Sequence, residues 1–152
     1  SVVALAMLAG TLTAAGAADG PFGPFTGSWS GSGQVHFTGG NSEALKCRAY
    51  YTPKEGGGLG MAIRCASSAS KIELRATLAS SAGRISGSWE ERTYNAAGEV
   101  TGSAQGGKIT LSIKGGGFTG SMNVGVTGST QSVSIRTEGV GFTSVNINLS
   151  KG

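Results

Sequence analysis

The sequence predicts an all-β chain. It reads as an antiparallel meander of about eight to ten strands, closed or nearly closed into a barrel, with a β-sandwich as the alternative. The first observation is a recurring phrase: Phe25-Thr26-Gly27-Ser28-Trp29, Ile85-Ser86-Gly87-Ser88-Trp89 and Phe118-Thr119-Gly120-Ser121-Met122, with an echo at Val100-Thr101-Gly102-Ser103. Apolar residues or Gly occupy every second position, with Ser or Thr between. That is the pattern of a strand with one buried face. The second observation is turn chemistry at intervals of about ten to fifteen residues, as expected for short strands in series. The third is a single hairpin register that puts both cysteines and their apolar neighbours on one side.

The chain opens with a short apolar run, Val2 through Gly10, and reaches the small residues Ala15-Gly16-Ala17. The expectation is a signal peptide over residues 1–17, truncated at its basic end and cut after Ala17, followed by a single β-barrel domain over residues 18–152. The run is too short to span a membrane. Such a leader implies a periplasmic or secreted protein. Residues 18–26 hold Pro21 and Pro24 and read as an extended lead-in.

Ten strand-like runs follow, near residues 27–38, 42–52, 58–67, 71–79, 84–94, 98–104, 107–114, 117–126, 130–138 and 142–150. Alternation assigns their inner faces. Trp29, Val35 and Phe37 share a face with Gly31 and Gly33. Leu45, Cys47, Ala49 and Tyr51 form the second set, and Met61, Ile63 and Cys65 the third. Ile85, Trp89, Ile113, Phe118, Met122, Ile135 and Val145 continue it. The other face carries Ser, Thr, Lys, Arg, Asn and Gln, so one face is dry and one wet. Consecutive strands joined by short turns are usually neighbours, which favours a meander.

A hairpin centred on Gly56 sets Cys47 opposite Cys65, Ala49 opposite Ile63 and Tyr51 opposite Met61. In an oxidising compartment the two cysteines should form a disulfide, contributing about 3 kcal/mol through loop closure. The same register sets Arg48 opposite Arg64 on the wet face, and extending the meander with a turn near Ser67–Ser70 sets Glu73 beside Arg64. Like charges directly opposite are unfavourable unless something lies between them. That row is either a plain surface or a docking point for an anionic group.

Composition excludes several functions. Net charge is +4, but the twelve basic residues form no run. No clustered patch with stacking aromatics points to nucleic acid. His36, on the wet face, is the single histidine and Asp19, beside the expected cleavage site, the single aspartate, so a Ser-His-Asp triad has almost nothing to be built from. One histidine and two paired cysteines do not make a zinc site. The glycine runs lack the Lys-Ser/Thr of a phosphate loop, and no cofactor motif is present. Gly is 28 of 152 residues, well above the usual share. The inward Gly31, Gly33, Gly87, Gly102 and Gly120 are expected to leave interior volume unfilled.

Two carboxylates face inward, Glu43 and Glu91. Each is placed near a strand end, where it accepts loop N–H bonds, contacts a ligand at the rim, or joins an acid pair. A small barrel either fills with side chains or holds one small ligand. The reading is a non-enzymatic binding module for a small apolar or amphipathic ligand. Trp29, Tyr51, Met61, Trp89 and Met122 are the expected wall residues, and Glu91 the polar contact. The alternative is a structural or interaction protein of the cell envelope, with a packed core and an outer face built on Arg48, Arg64 and Tyr50. A membrane-spanning barrel is disfavoured because lipid demands an apolar outside.

Gly27-Ser-Trp29-Ser-Gly31-Ser-Gly33 resembles the G-x-W opening of lipocalin and calycin barrels. That resemblance implies a Trp closing one barrel end and an interior that binds small apolar molecules. The sequence departs from the pattern in lacking a signal for an N-terminal 3₁₀ turn, a clear C-terminal helix and a second lipocalin motif. The wider string Cys47-Arg48-Ala-Tyr50, Arg64-Cys65-Ala66-Ser67, Gly87-Ser-Trp89-Glu-Glu91 and Gln131-Ser-Val133-Ser-Ile135 resembles a group of small secreted alphaproteobacterial proteins. It implies a secreted β domain and no particular activity.

Overall fold

The computed structural model describes residues 20–152. The expected signal peptide lies outside the described residues. Ten antiparallel strands form one closed barrel, β1 (Gly27–Phe37), β2 (Ser42–Lys54), β3 (Gly58–Ala66), β4 (Lys71–Ser81), β5 (Arg84–Glu91), β6 (Ala96–Gln105), β7 (Lys108–Gly115), β8 (Phe118–Thr127), β9 (Thr130–Glu138) and β10 (Phe142–Lys151). Each strand pairs with its neighbour in sequence, and β1 closes the ring against β10 from Trp29–Lys151 to Phe37–Phe142. The barrel, not the sandwich, is the architecture.

Period-two patterning explains the register. On β2, Leu45, Cys47, Ala49 and Tyr51 are buried while Ala44, Lys46, Arg48 and Tyr50 are exposed. Cys47 faces Cys65, flanked by Ala49–Ile63 and Tyr51–Met61, and the two cysteines form a disulfide. Slipping β3 by one residue would turn all of these pairs inside out. Arg48 faces Arg64, and Arg64 faces Glu73.

Two expectations are corrected. The lead-in is not extended: Gly20–Phe25 forms a 3₁₀ turn. Residues three apart eclipse one another in a 3₁₀ turn, so Phe22 and Phe25 share a side, and both are fully buried. The inward glycines do not leave open volume. A Cβ at Gly31, Gly33, Gly87, Gly102 or Gly120 would collide with a carbonyl oxygen of the adjoining strand, respectively Asn148, Asn146, Thr77, Thr110 and Arg136. The missing side chains let neighbouring backbones coil tightly together.

The barrel has two unlike ends. The 3₁₀ turn plugs one of them. Trp29 Nε1 donates to the Phe25 carbonyl at 2.8 Å, and the Tyr51 ring lies 6.3 Å from that of Phe25. The other end carries the β1–β2, β3–β4, β5–β6, β7–β8 and β9–β10 turns, and no such plug covers it among the described residues.

Candidate functional site

The open end holds a cavity of about 420 Å³. Its wall is made where strands enter or leave the turns at that end. Phe37 ends β1, Phe118 begins β8 and Phe142 begins β10. All three rings are only partly buried and line the cavity. Deeper in, Ile72, Leu74, Ile113, Ile135 and Val145 complete an apolar lining. These are inward positions of their strands, so alternation alone delivers them.

Trp89 is the largest lining side chain. Its ring meets Phe118 at 5.1 Å and 63°, an edge-on contact, the geometry favoured by the ring quadrupoles. Its Nε1 donates to the Lys114 carbonyl at 3.2 Å. The indole thus satisfies its polar atom in the wall and is left with an apolar face for the interior.

Polar groups are few and mostly engaged. Glu91 is buried at the rim. Its Oε1 accepts from the backbone N–H of Glu73 at 2.8 Å and of Thr93 at 3.0 Å. Its Oε2 accepts from the N–H of Tyr94 at 2.8 Å. A carboxylate holding three N–H groups fixes the turn that follows β5. This is why β5 ends at Glu91 and does not run on to residue 94. Thr137 donates its hydroxyl to the Phe142 carbonyl at 2.6 Å. Tyr94 is 56% exposed at the mouth.

The mouth is braced on its opposite side as well. Thr38 N donates to the Gly141 carbonyl at 3.1 Å, and Thr38 Oγ1 to the Val140 carbonyl at 3.2 Å. The β1–β2 and β9–β10 turns are therefore tied together. A cavity with both lips held by hydrogen bonds is pre-formed.

The six residues expected to line a ligand site divide. Trp89 and Glu91 line the cavity. Trp29, Tyr51, Met61 and Met122 do not. Trp29 and Tyr51 pack under the plug. The Lys151 ammonium stands 5.1 Å from the Trp29 ring centroid. Met61 lies between Tyr51 and Ala76, and Met122 between Leu111 and Ile135, all of them buried. Glu43 is also outside the cavity lining and accepts from Ser67 Oγ at 2.7 Å, so the two inward carboxylates are not joined there as an acid pair. Sequence reasoning missed Tyr94, Thr137 and Val140 as site residues. The available signal was the set of aromatics next to turns, Phe37, Phe118 and Phe142, which the meander gathers at one end.

No family model matches the chain, and no curated protein matches it in sequence. Its fold is similar to solved structures. The crystal structure of Rv2717c from M. tuberculosis matches with a TM-score of 0.67 at 14% identity, over 90% of this chain and 98% of that one. The S-type phycobiliprotein lyase CPES from Guillardia theta matches with a TM-score of 0.61 at 14% identity, over 86% and 90%. These likenesses concern the fold alone, and a closed antiparallel barrel of ten strands fits the calycin-like architecture that the G-x-W opening implied.

Proposed function

We propose that this chain is a non-enzymatic binding barrel that holds a small apolar or amphipathic molecule in its open-end cavity. The observation that carries the reading is the pre-formed apolar cavity beside Trp89, with Glu91, Tyr94 and Thr137 at its mouth. Its volume falls at the lower end of the roughly 300–1,000 Å³ of drug-sized ligand pockets. One or two fused rings, or a short acyl chain, fit such a space better than a macrocycle. The driving force is burial of ligand surface at roughly 25 cal/mol per Å² against walls that need not move.

The reading includes a periplasmic or secreted location. The Cys47–Cys65 disulfide supports an oxidising compartment, and so does the resemblance to small secreted alphaproteobacterial proteins. No helix among the described residues is long and apolar enough to cross a membrane. The outward strand positions carry Ser, Thr, Asn, Lys and Arg, where a lipid-facing barrel would present apolar side chains.

Native mass spectrometry of the protein, purified gently from its own host, tests the proposal. The expected result is a reproducible added mass that vanishes on denaturation and is absent from an Ile135→Trp variant with its cavity filled. A bare mass in both proteins, together with no saturable uptake of the neutral dye N-phenyl-1-naphthylamine, overturns it.

A further inference from the structure

A second site lies on the outside of the barrel, sharing only Ile72 with the cavity lining. Four adjacent strands carry two parallel rows of outward side chains. One row runs Ser30, Arg48, Arg64, Glu73 from β1 to β4, and the other Ser32, Lys46, Ala66, Lys71. Between them runs an inward-facing row, Gly31, Cys47, Cys65 and Ile72, whose backbone forms the floor. The result is an open groove of about 750 Å³ with arginines on one bank and lysines on the other.

The charges on these banks are not balanced. Among the described residues, none of Lys46, Arg48, Arg64 and Lys71 comes within ion-pair distance of a carboxylate. Glu73 is the one carboxylate lining the groove, at its β4 end. Arg48 and Arg64 are directly opposed across β2 and β3, an arrangement that costs stability when nothing bridges it. Two arginines at directly opposed positions, with two lysines lining the other bank, are complementary to a compact multivalent oxyanion. Tyr50, 37% exposed beside Arg48, adds a hydroxyl at the edge.

We propose that this groove binds a phosphate-type anion, held chiefly by Arg48 and Arg64. The anion removes the repulsion between the two arginines, so the site gains on binding what it lacks when empty. Because the groups are exposed, affinity falls as salt rises. The same chemistry is offered by a free phosphate ester or by a lipid headgroup.

The test is an NMR titration with inorganic phosphate at constant ionic strength, alongside sedimentation with phosphatidylglycerol vesicles. Saturating shifts centred on Arg48 and Arg64, weakened about tenfold or more in Arg48→Gln and unchanged in Arg136→Gln on β9, establish the site and assign a free phosphate group. Vesicle binding abolished by Arg48→Gln, without a response to inorganic phosphate, establishes the site and assigns the headgroup. No saturable response to either probe, or equal binding by Arg48→Gln and the parent chain, overturns the proposal. Both substitutions are on the wet face, and circular dichroism checks that each variant keeps its fold.

Discussion

The Tyr51 phenol donates a 2.6 Å hydrogen bond to Oε1 of Gln131 inside the barrel, reaching from β2 to β9 past β1 and β10. Both residues are buried, and Gln131 Nε2 has no partner among the described residues. The pair is a polar island under the plug.

Burial pushes the Tyr51 phenol well above the ordinary tyrosine range. The native state therefore keeps this proton at pH values where the unfolded chain releases it. Above about pH 10 the native state binds more protons than the unfolded one, and stability falls as pH rises, by up to about 1.4 kcal/mol per pH unit. Below that range the contribution is fully present. Tyr51→Phe should cost about 1–2 kcal/mol at neutral pH, because Gln131 Oε1 is left unsatisfied, yet it should lose the alkaline slope. Denaturant melts from neutral to strongly alkaline pH check both effects; parallel curves for the two proteins would count against the assignment.

The two tryptophans should report different events. A ligand in the cavity touches Trp89 and leaves Trp29 alone. Trp89→Phe should abolish the change in intrinsic fluorescence on adding N-phenyl-1-naphthylamine, whereas Trp29→Phe should retain it. Trp29→Phe should instead lower stability by about 1–2 kcal/mol, through loss of the bond to the Phe25 carbonyl. A signal that follows Trp29 would place the occupied volume at the plugged end.

Glu91 is expected to act on the rim through the backbone. Glu91→Ala strips three N–H groups of their acceptor and should cost about 2 kcal/mol or more. Amide exchange at Thr93 and Tyr94 should accelerate, while amides of β9 remain protected. Uniform acceleration across the barrel would show that the effect is global and not a loosening of one lip.

Close approach of backbones makes a sharp prediction for glycine. At Gly102 a new Cβ meets the Thr110 carbonyl and the Cα of Leu111. Gly102→Ala should cost about 3 kcal/mol or more, since neither strand can retreat without breaking its ladder. At Gly39, in the β1–β2 turn, the added methyl meets nothing, and Gly39→Ala should stay within about 0.5 kcal/mol. Comparable losses at both positions would rule out crowding as the cause.

Most of the barrel was legible in the sequence because alternation and turn chemistry are local. The Cys47–Cys65 and Arg48–Arg64 pairs followed from one hairpin centre at Gly56, and the Arg64–Glu73 pair from a second turn near Ser67–Ser70. The plug was not legible, because proline is compatible with both an extended segment and a 3₁₀ turn. Only the burial of Phe22 and Phe25 against the barrel decides between them. The cavity was placed too broadly for a related reason. Inward glycines look like empty space in a linear pattern, whereas in a coiled sheet the adjoining strand occupies that space. Volume survives instead where the strands reach their turns beside Phe37, Phe118 and Phe142, and where no plug enters.

A barrel sealed at one end is a blind vessel. On the binding reading proposed above, a ligand that enters past Tyr94 leaves past Tyr94, because Phe22 and Phe25 fill the opposite end. Loading and unloading then share one doorway, bordered by the lips that Glu91 and Thr38 hold. Such a vessel would keep a molecule and release it at the end where it arrived.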